Sequence, residues 1–144
     1  MVMGTSTAGI AHAAIVATIL GLPMGYVRTS SKDHGRQNQI EGKLIDNAKI
    51  VVIEDLISTA GSAVEVVEVL RKEGSEVLGI ASIFTYGMRK ATERLAEHNV
   101  RNVSASDYDT LLSVAVAENY IKESDVEALL HFRNNPSDES WMSK

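Results

Sequence analysis

The sequence predicts an α/β fold with a mainly parallel central sheet flanked by helices. Short β-branched runs alternate at least three times with segments whose apolar residues recur at helical spacing. One of these runs, Ile50 to Ile53, is continuously apolar, the pattern of a parallel strand buried on both faces. No repeat, low-complexity tract or composition break divides the 144 residues, and Pro23 and Pro136 punctuate the chain rather than form a linker. One domain over residues 1–144 is expected, with right-handed crossovers and a ligand at the carboxyl ends of the strands.

Met1 to Met3 reads as the end of an apolar strand, Gly4 to Thr7 as a turn, and Ile10 to Leu20 as a helix whose Ala, Ile, Val and Leu face covers a sheet. Met24 to Arg28 is a second short strand. Thr29 to Gly42 is polar, carries both charge signs and two glycines, and has almost no apolar residue to anchor it, which predicts a mobile loop. The Ile50 to Ile53 strand loses its apolar character at Glu54-Asp55. Ala63 to Leu70 has helical spacing, with Glu65 and Glu68 for the wet side and Gly74 just past the end. Glu76 to Phe84 is a further buried strand and Met88 to Glu97 a short amphipathic helix. Val103 opens a last strand, and Asp107 to Ala117 and Ser124 to Phe132 are helices, Ser124 and Glu127 being spaced as a capping box.

Composition narrows the function classes. With 44% hydrophobic and 23% charged residues the chain is neither disordered nor collagen-like. A net charge of -5 argues against broad attraction to nucleic acid or anionic membrane. The absence of cysteine removes disulfides, thiolate catalysis and cysteine zinc sites, and agrees with a reducing compartment. The apolar stretch Gly9 to Leu22 is too short to span a bilayer and has no basic residues before it. The expectation is a cytoplasmic protein with neither nucleic-acid nor membrane partners.

The stretch from Ile50 to Ala63 carries the most chemistry. A buried strand delivers Glu54 and Asp55 to its carboxyl end, and a small-residue turn, Ser58-Thr59-Ala60-Gly61-Ser62, then opens a helix. Backbone N–H groups at such a turn converge on an anion, aided by the helix dipole, and the Ser58, Thr59 and Ser62 hydroxyls are further donors. Carboxylates beside the cradle suit a sugar diol, whose hydroxyls they accept. On spacing alone the same residues also describe an ordinary strand end and a serine-capped helix.

Two other segments stay open in the same way. In the 29–42 loop, Gly35 and Gly42 would let the segment swing, so that Arg28, Lys32, His34 and Arg36 close over a pyrophosphate; charged loops also commonly do no more than solvate a surface. Gly4 to Ala13, with Thr5 and Ser6 at its turn, has amides suited to a second anion, but taken alone it reads better as a plain connection. His12, on a mostly apolar helix, is assigned no chemistry. After the Glu76 to Phe84 strand, Ile83 and Phe84 read as core.

These segments, in this order, resemble the type I phosphoribosyltransferases. An apolar strand, an acidic pair, two variable residues and a Thr/Ser/Gly loop form the signature for 5-phosphoribosyl-1-pyrophosphate (PRPP) in that family. Tyr26-Val27-Arg28, Lys32-Asp33-His34-Gly35 and Asn38-Gln39-Ile40-Glu41-Gly42 further resemble the catalytic loop of bacterial orotate phosphoribosyltransferases. The resemblance runs from Val2 to the carboxyl-terminal helices. It implies a Rossmann-like core without the amino-terminal hood of full-length relatives. It also implies transfer of phosphoribosyl from PRPP to orotate, giving orotidine 5-phosphate and pyrophosphate in pyrimidine biosynthesis.

By the same resemblance, Ser58, Thr59, Ala60, Gly61 and Ser62 hold the ribose 5-phosphate, Glu54 and Asp55 lie near the ribose hydroxyls, and Thr5 and Ser6 belong to the pyrophosphate loop. Arg28, Lys32, Asp33 and His34 are the catalytic set, Thr85 and Tyr86 contact the base, and Mg2+ arrives on PRPP with no direct protein ligand. A homodimer with the loop shared between subunits is implied. Ala60 replaces a common glycine, Thr29 stands where some relatives have lysine, Ala11 replaces a common proline, and the arginine that some relatives aim at orotate has no match. Ala60, Thr29 and the absent amino-terminal hood keep a second reading in play, a non-catalytic PRPP-binding or regulatory protein. A flavodoxin-like receiver, a third reading, is disfavoured by the hydroxyl-rich loop directly after the acids.

Overall fold

The structure is a computed structural model that describes residues 1–28 and 39–142. Among the described residues six strands form one sheet: β1 (Val2–Thr5), β2 (Met24–Val27), β3 (Ile40–Glu41), β4 (Lys49–Ile57), β5 (Glu76–Thr85) and β6 (Asn102–Asp107), in the order β3-β2-β1-β4-β5-β6. All neighbours are parallel except β2 and β3, so the expected mainly parallel sheet is observed. The helices are α1 (Ala8–Leu20), α2 (Gly61–Lys72), α3 (Arg89–Glu97), α4 (Tyr108–Ala117) and α5 (Val126–Asn134). Among the described residues no helix is long and apolar enough to cross a membrane.

Strand β4 divides the core, because successive side chains on a strand face opposite ways. Ile50 and Val52 pack with Val66, Val67 and Leu70 of α2 and Ala91 of α3. Val51 and Ile53 pack with Ala13 and Ala17 of α1. The apolar period of α2 thus covers one face of the sheet and α1 the other.

Helix α1 lies unusually close to the strands because its inner stripe is small: Gly9, Ala13 and Ala17 are buried at four-residue intervals. A Cβ on Gly4 would fall 2.8 Å from the Gly9 carbonyl oxygen, and one on Gly9 would fall 2.5 Å from the Ile53 carbonyl oxygen. Two glycines therefore set the spacing of β1, α1 and β4.

Sequence and structure differ in several places. Strand β1 runs on through Gly4 and Thr5, read as a turn, and Ser124 does not cap α5, its hydroxyl reaching Asp125 Oδ1 instead. The 29–42 segment is not wholly loop: Ile40 and Glu41 pair antiparallel with Val27 and Tyr26, and Ile40 is buried, so one apolar side chain anchors the returning arm. Strand β4 does not stop at the acids but runs on to Ile57, because its pairing with β5 continues from Glu54 through Leu56 and Ile57. Ile83, read as core, is 44% exposed; it lines an open groove with Ile15 and Val16 of α1 rather than lying beneath a helix.

Candidate active site at the β1–β4 switch point

From β1 the chain moves outward to β2 in one direction, and from β4 to β5 and β6 in the other. The strand order reverses between β1 and β4, and in open parallel sheets the crevice at the carboxyl ends of such strands is the ligand position. Gly4 pairs with Ile53, so Thr5 and Glu54 come next to each other at this edge.

The Thr5 hydroxyl donates to Glu54 Oε1 at 2.5 Å, and the Asp55 backbone N–H donates to the same oxygen at 3.1 Å. Glu54 is buried, whereas Asp55 is half-buried. Burial, and then the Asp55 carboxyl beside it, push the Glu54 pKa up from 4.5 to about 7. The acidic pair is therefore unequal: Glu54 braces the two loops from within, and Asp55 is the carboxylate more open to a ligand.

After β4, Ser58 and Thr59 are half-buried and Ser62 is exposed. Ala60 opens α2 in the left-handed region, with φ 60° and ψ 14°, and no side chain caps the helix. The N–H groups of its first turn lack partners four residues earlier in the chain, so they are left for an anion. Ala60 thus stands at positive φ where relatives commonly have glycine, and its buried methyl packs into the α2-side core. Arg94 of α3 donates from Nη1 to the Thr59 carbonyl at 2.8 Å. Sequence reading missed this residue, since an arginine in an amphipathic helix carries no signal of what it reaches.

The first loop, Ser6-Thr7, follows β1 and contains a cis peptide; Ser6 N–H donates to the Val27 carbonyl at 3.0 Å. Arg28 follows β2, with its N–H on the Gln39 carbonyl at 2.8 Å and its Nε 3.3 Å from Glu41 Oε1. These contacts close the neck of the 29–38 segment beside the first loop. Lys32, Asp33 and His34 lie outside the described residues, as do Thr29 and Arg36.

At the end of β5, the Thr85 hydroxyl is 3.4 Å from the Ile57 carbonyl and accepts from Gly87 N–H at 3.1 Å. The Tyr86 ring sits 5.5 Å from Phe84, 5.3 Å from Tyr108 and 6.4 Å from Phe132, centre to centre. Both candidate base contacts are thereby tied into the turn and the aromatic cluster that follow β5.

Among the described residues no three acidic or histidine side chains converge on a point able to hold a metal ion. The oxygen donors present, the Asp55 and Glu54 carboxyls, suit a hard cation that arrives mostly coordinated by its ligand.

Comparison with known proteins agrees with this geometry. Residues 1–118 match the family described as phosphoribosyl transferase domain. The orotate phosphoribosyltransferase of Bacillus cytotoxicus is 52% identical over 143 residues, covering 99% of this chain and 68% of the relative. The crystal structure of orotate phosphoribosyltransferase from Aeropyrum pernix superposes with a TM-score of 0.72 at 37% identity, over 78% of this chain and 62% of that one. The Mycobacterium tuberculosis orotate phosphoribosyltransferase in complex with PRPP superposes with a TM-score of 0.56 at 25% identity, over 75% of this chain and 63% of that one. The chain thus spans about two thirds of the length of these relatives. With the strand order, the acidic pair and the uncapped helix in the same arrangement as its sequence signature requires, the chain belongs to the orotate phosphoribosyltransferase family.

Proposed function

We propose that the chain transfers phosphoribosyl from PRPP to orotate, giving orotidine 5-phosphate and pyrophosphate. The observation that carries this reading is the junction of the two candidate anion loops at one acidic point, Thr5 on Glu54, beside the uncapped start of α2. The α2 turn takes the ribose 5-phosphate on its free N–H groups, and the loop after Thr5 takes the pyrophosphate. Asp55 accepts hydrogen bonds from the ribose hydroxyls.

In the reaction the bond between ribose C1 and the pyrophosphate oxygen breaks, its electron pair leaving with pyrophosphate, and orotate N1 bonds to C1 as its N–H proton is released to solvent or a nearby base. Positive charge grows on the ribose and negative charge on the leaving group. Arg28, at the neck of the 29–38 segment, and Lys32 and His34 within it, stabilise the departing pyrophosphate, and closure of the segment keeps water from the ribosyl centre. Asp33 assists proton movement. Thr85 and Tyr86 bound the base site. Mg2+ carried on PRPP would neutralise its diphosphate and would take no direct protein ligand. The working form is a cytoplasmic homodimer that shares the 29–38 segment between subunits.

The test is to mix the protein with PRPP, Mg2+ and orotate and follow loss of orotate absorbance, alongside calorimetry with PRPP alone. Turnover supports the enzyme; binding without turnover selects a non-catalytic PRPP-binding protein; no association at millimolar PRPP removes both.

A further inference from the structure

We infer that Arg94 is a positioning residue for the phosphate loop, acting through the Thr59–Ala60 peptide; this rests on the PRPP reading above. The guanidinium donates to the Thr59 carbonyl at 2.8 Å, a charge-assisted hydrogen bond from a half-buried side chain. The carbonyl of Thr59 and the N–H of Ala60 belong to one planar peptide and point in opposite directions. Holding the carbonyl toward α3 therefore holds the Ala60 N–H away from it. If that peptide turned over, a carbonyl dipole would replace an N–H donor and oppose a phosphate dianion.

Two features of the loop fit this role. Ala60 sits at φ 60°, a conformation a residue with a side chain holds only when its surroundings impose it, and the Arg94 bond is such an external constraint on the preceding peptide. A Cβ on Gly61 would come 3.0 Å from Arg94 Nη1, so the glycine leaves the space into which the guanidinium reaches. Arg94 and Gly61 thus form one device: the side chain from α3 enters over the bare Cα and grips the carbonyl two residues earlier. The same guanidinium sets a positive charge behind the cradle, which favours an anion in front of it.

The test uses the full chain and ribose 5-phosphate, followed by calorimetry, with PRPP steady-state kinetics in parallel. Arg94→Met is expected to weaken ribose 5-phosphate binding tenfold or more and to raise KM for PRPP by more than it lowers kcat. Arg94→Lys, which keeps one donor and the charge, should recover a large part of that loss. Gly61→Ala, which crowds the guanidinium, should weaken binding similarly, and adding Arg94→Met to it should cost no more than about twofold further, because both changes remove one interaction. Should Arg94→Met fail to fold by circular dichroism, the Arg94→Lys and Gly61→Ala pair carries the same cycle. Ribose 5-phosphate binding by folded Arg94→Met at wild-type strength, or fully additive losses in the double variant, would overturn the inference while leaving the PRPP reading intact. Absence of ribose 5-phosphate binding by the wild-type chain would remove both.

Discussion

Thr5 and Glu54, 49 positions apart in the chain, share a hydrogen bond of 2.5 Å that ties the loop after β1 to the acidic end of β4. The bond crosses the point where the strand order reverses, so the two loops expected to hold the two ends of PRPP are fixed relative to each other by one buried contact. Its acceptor is a carboxyl that burial pushes up to about 7, which gives the site a dependence on pH.

Folding raises the Glu54 pKa, so the folded protein holds this proton more tightly than the unfolded chain. The contribution of Glu54 to stability is therefore greatest below 4.5, falls as pH rises toward 7, and is lost above it. At roughly 1.4 kcal/mol per pKa unit the change is on the order of 3 kcal/mol. Glu54→Gln keeps the acceptor for Thr5 but cannot ionise. Melting temperatures between pH 4.5 and 8 should decline less steeply for the variant than for the wild type, and parallel curves would disprove the assignment.

Gly9→Ala should destabilise the chain by about 1–3 kcal/mol in urea unfolding, the usual range for overpacking. The added methyl meets the Ile53 carbonyl at 2.5 Å as well as the Thr5 hydroxyl, so α1 must move away from β4. The same change should weaken PRPP binding, because it disturbs the hydroxyl that reaches Glu54. A variant as stable as the wild type would show that the helix is not held this close.

Ala60 is held by opposing effects. Glycine in its place would relieve roughly 1 kcal/mol of left-handed strain, but would remove a buried methyl of comparable worth, about 0.8 kcal/mol. Ala60→Gly should therefore melt within a few degrees of the wild type. Ala60→Val, β-branched at positive φ in a filled site, should lose about 2 kcal/mol or more. Differential scanning calorimetry of the two variants reads the contrast.

Tyr86 joins the end of β5 to α4 and α5 through its ring. Tyr86→Phe keeps the ring and should leave thermal stability near that of the wild type, while Tyr86→Ala should cost about 1–3 kcal/mol, less than a fully buried aromatic because the ring is half-buried. The KM for orotate of Tyr86→Phe then reports whether the hydroxyl touches the base, free of any packing change.

Lys32→Ala should lower kcat far more than it weakens PRPP binding, because its contact is expected to strengthen as pyrophosphate departs. Steady-state kinetics set beside PRPP calorimetry measure the two separately. Equal losses in both would contradict the role given to Lys32.

The order of elements was legible in the chain because it is written in local periods. The β-branched run at Ile50 to Ile53 and the apolar spacing of Ala63 to Leu70 each read correctly to within a few residues, and Glu54, Asp55 and the 58–62 turn stand together in sequence as they do at the edge of the sheet. Ala60, standing where relatives commonly have glycine, does take a positive φ, so its methyl carries backbone strain there. What local pattern could not convey was pairing between distant segments. Whether β4 stops at Glu54 or continues to Ile57 depends on its register with β5, and whether Ile40 anchors the 29–42 arm depends on β2 lying beside it. Ile83 looked like core because nothing in its own neighbourhood told which helix would fail to cover it.

The chain by itself determined the fold class and the residue types of the site, because backbone propensity and hydrophobic period act over a few residues. Tertiary structure alone decided that Glu54 is buried against Thr5 while Asp55 remains the more open acid, and that Arg94 reaches Thr59 from 35 positions away. Those outcomes depend on side chains brought together only when the sheet closes between β1 and β4, where burial sets a carboxyl's charge and a distant guanidinium sets a peptide's orientation.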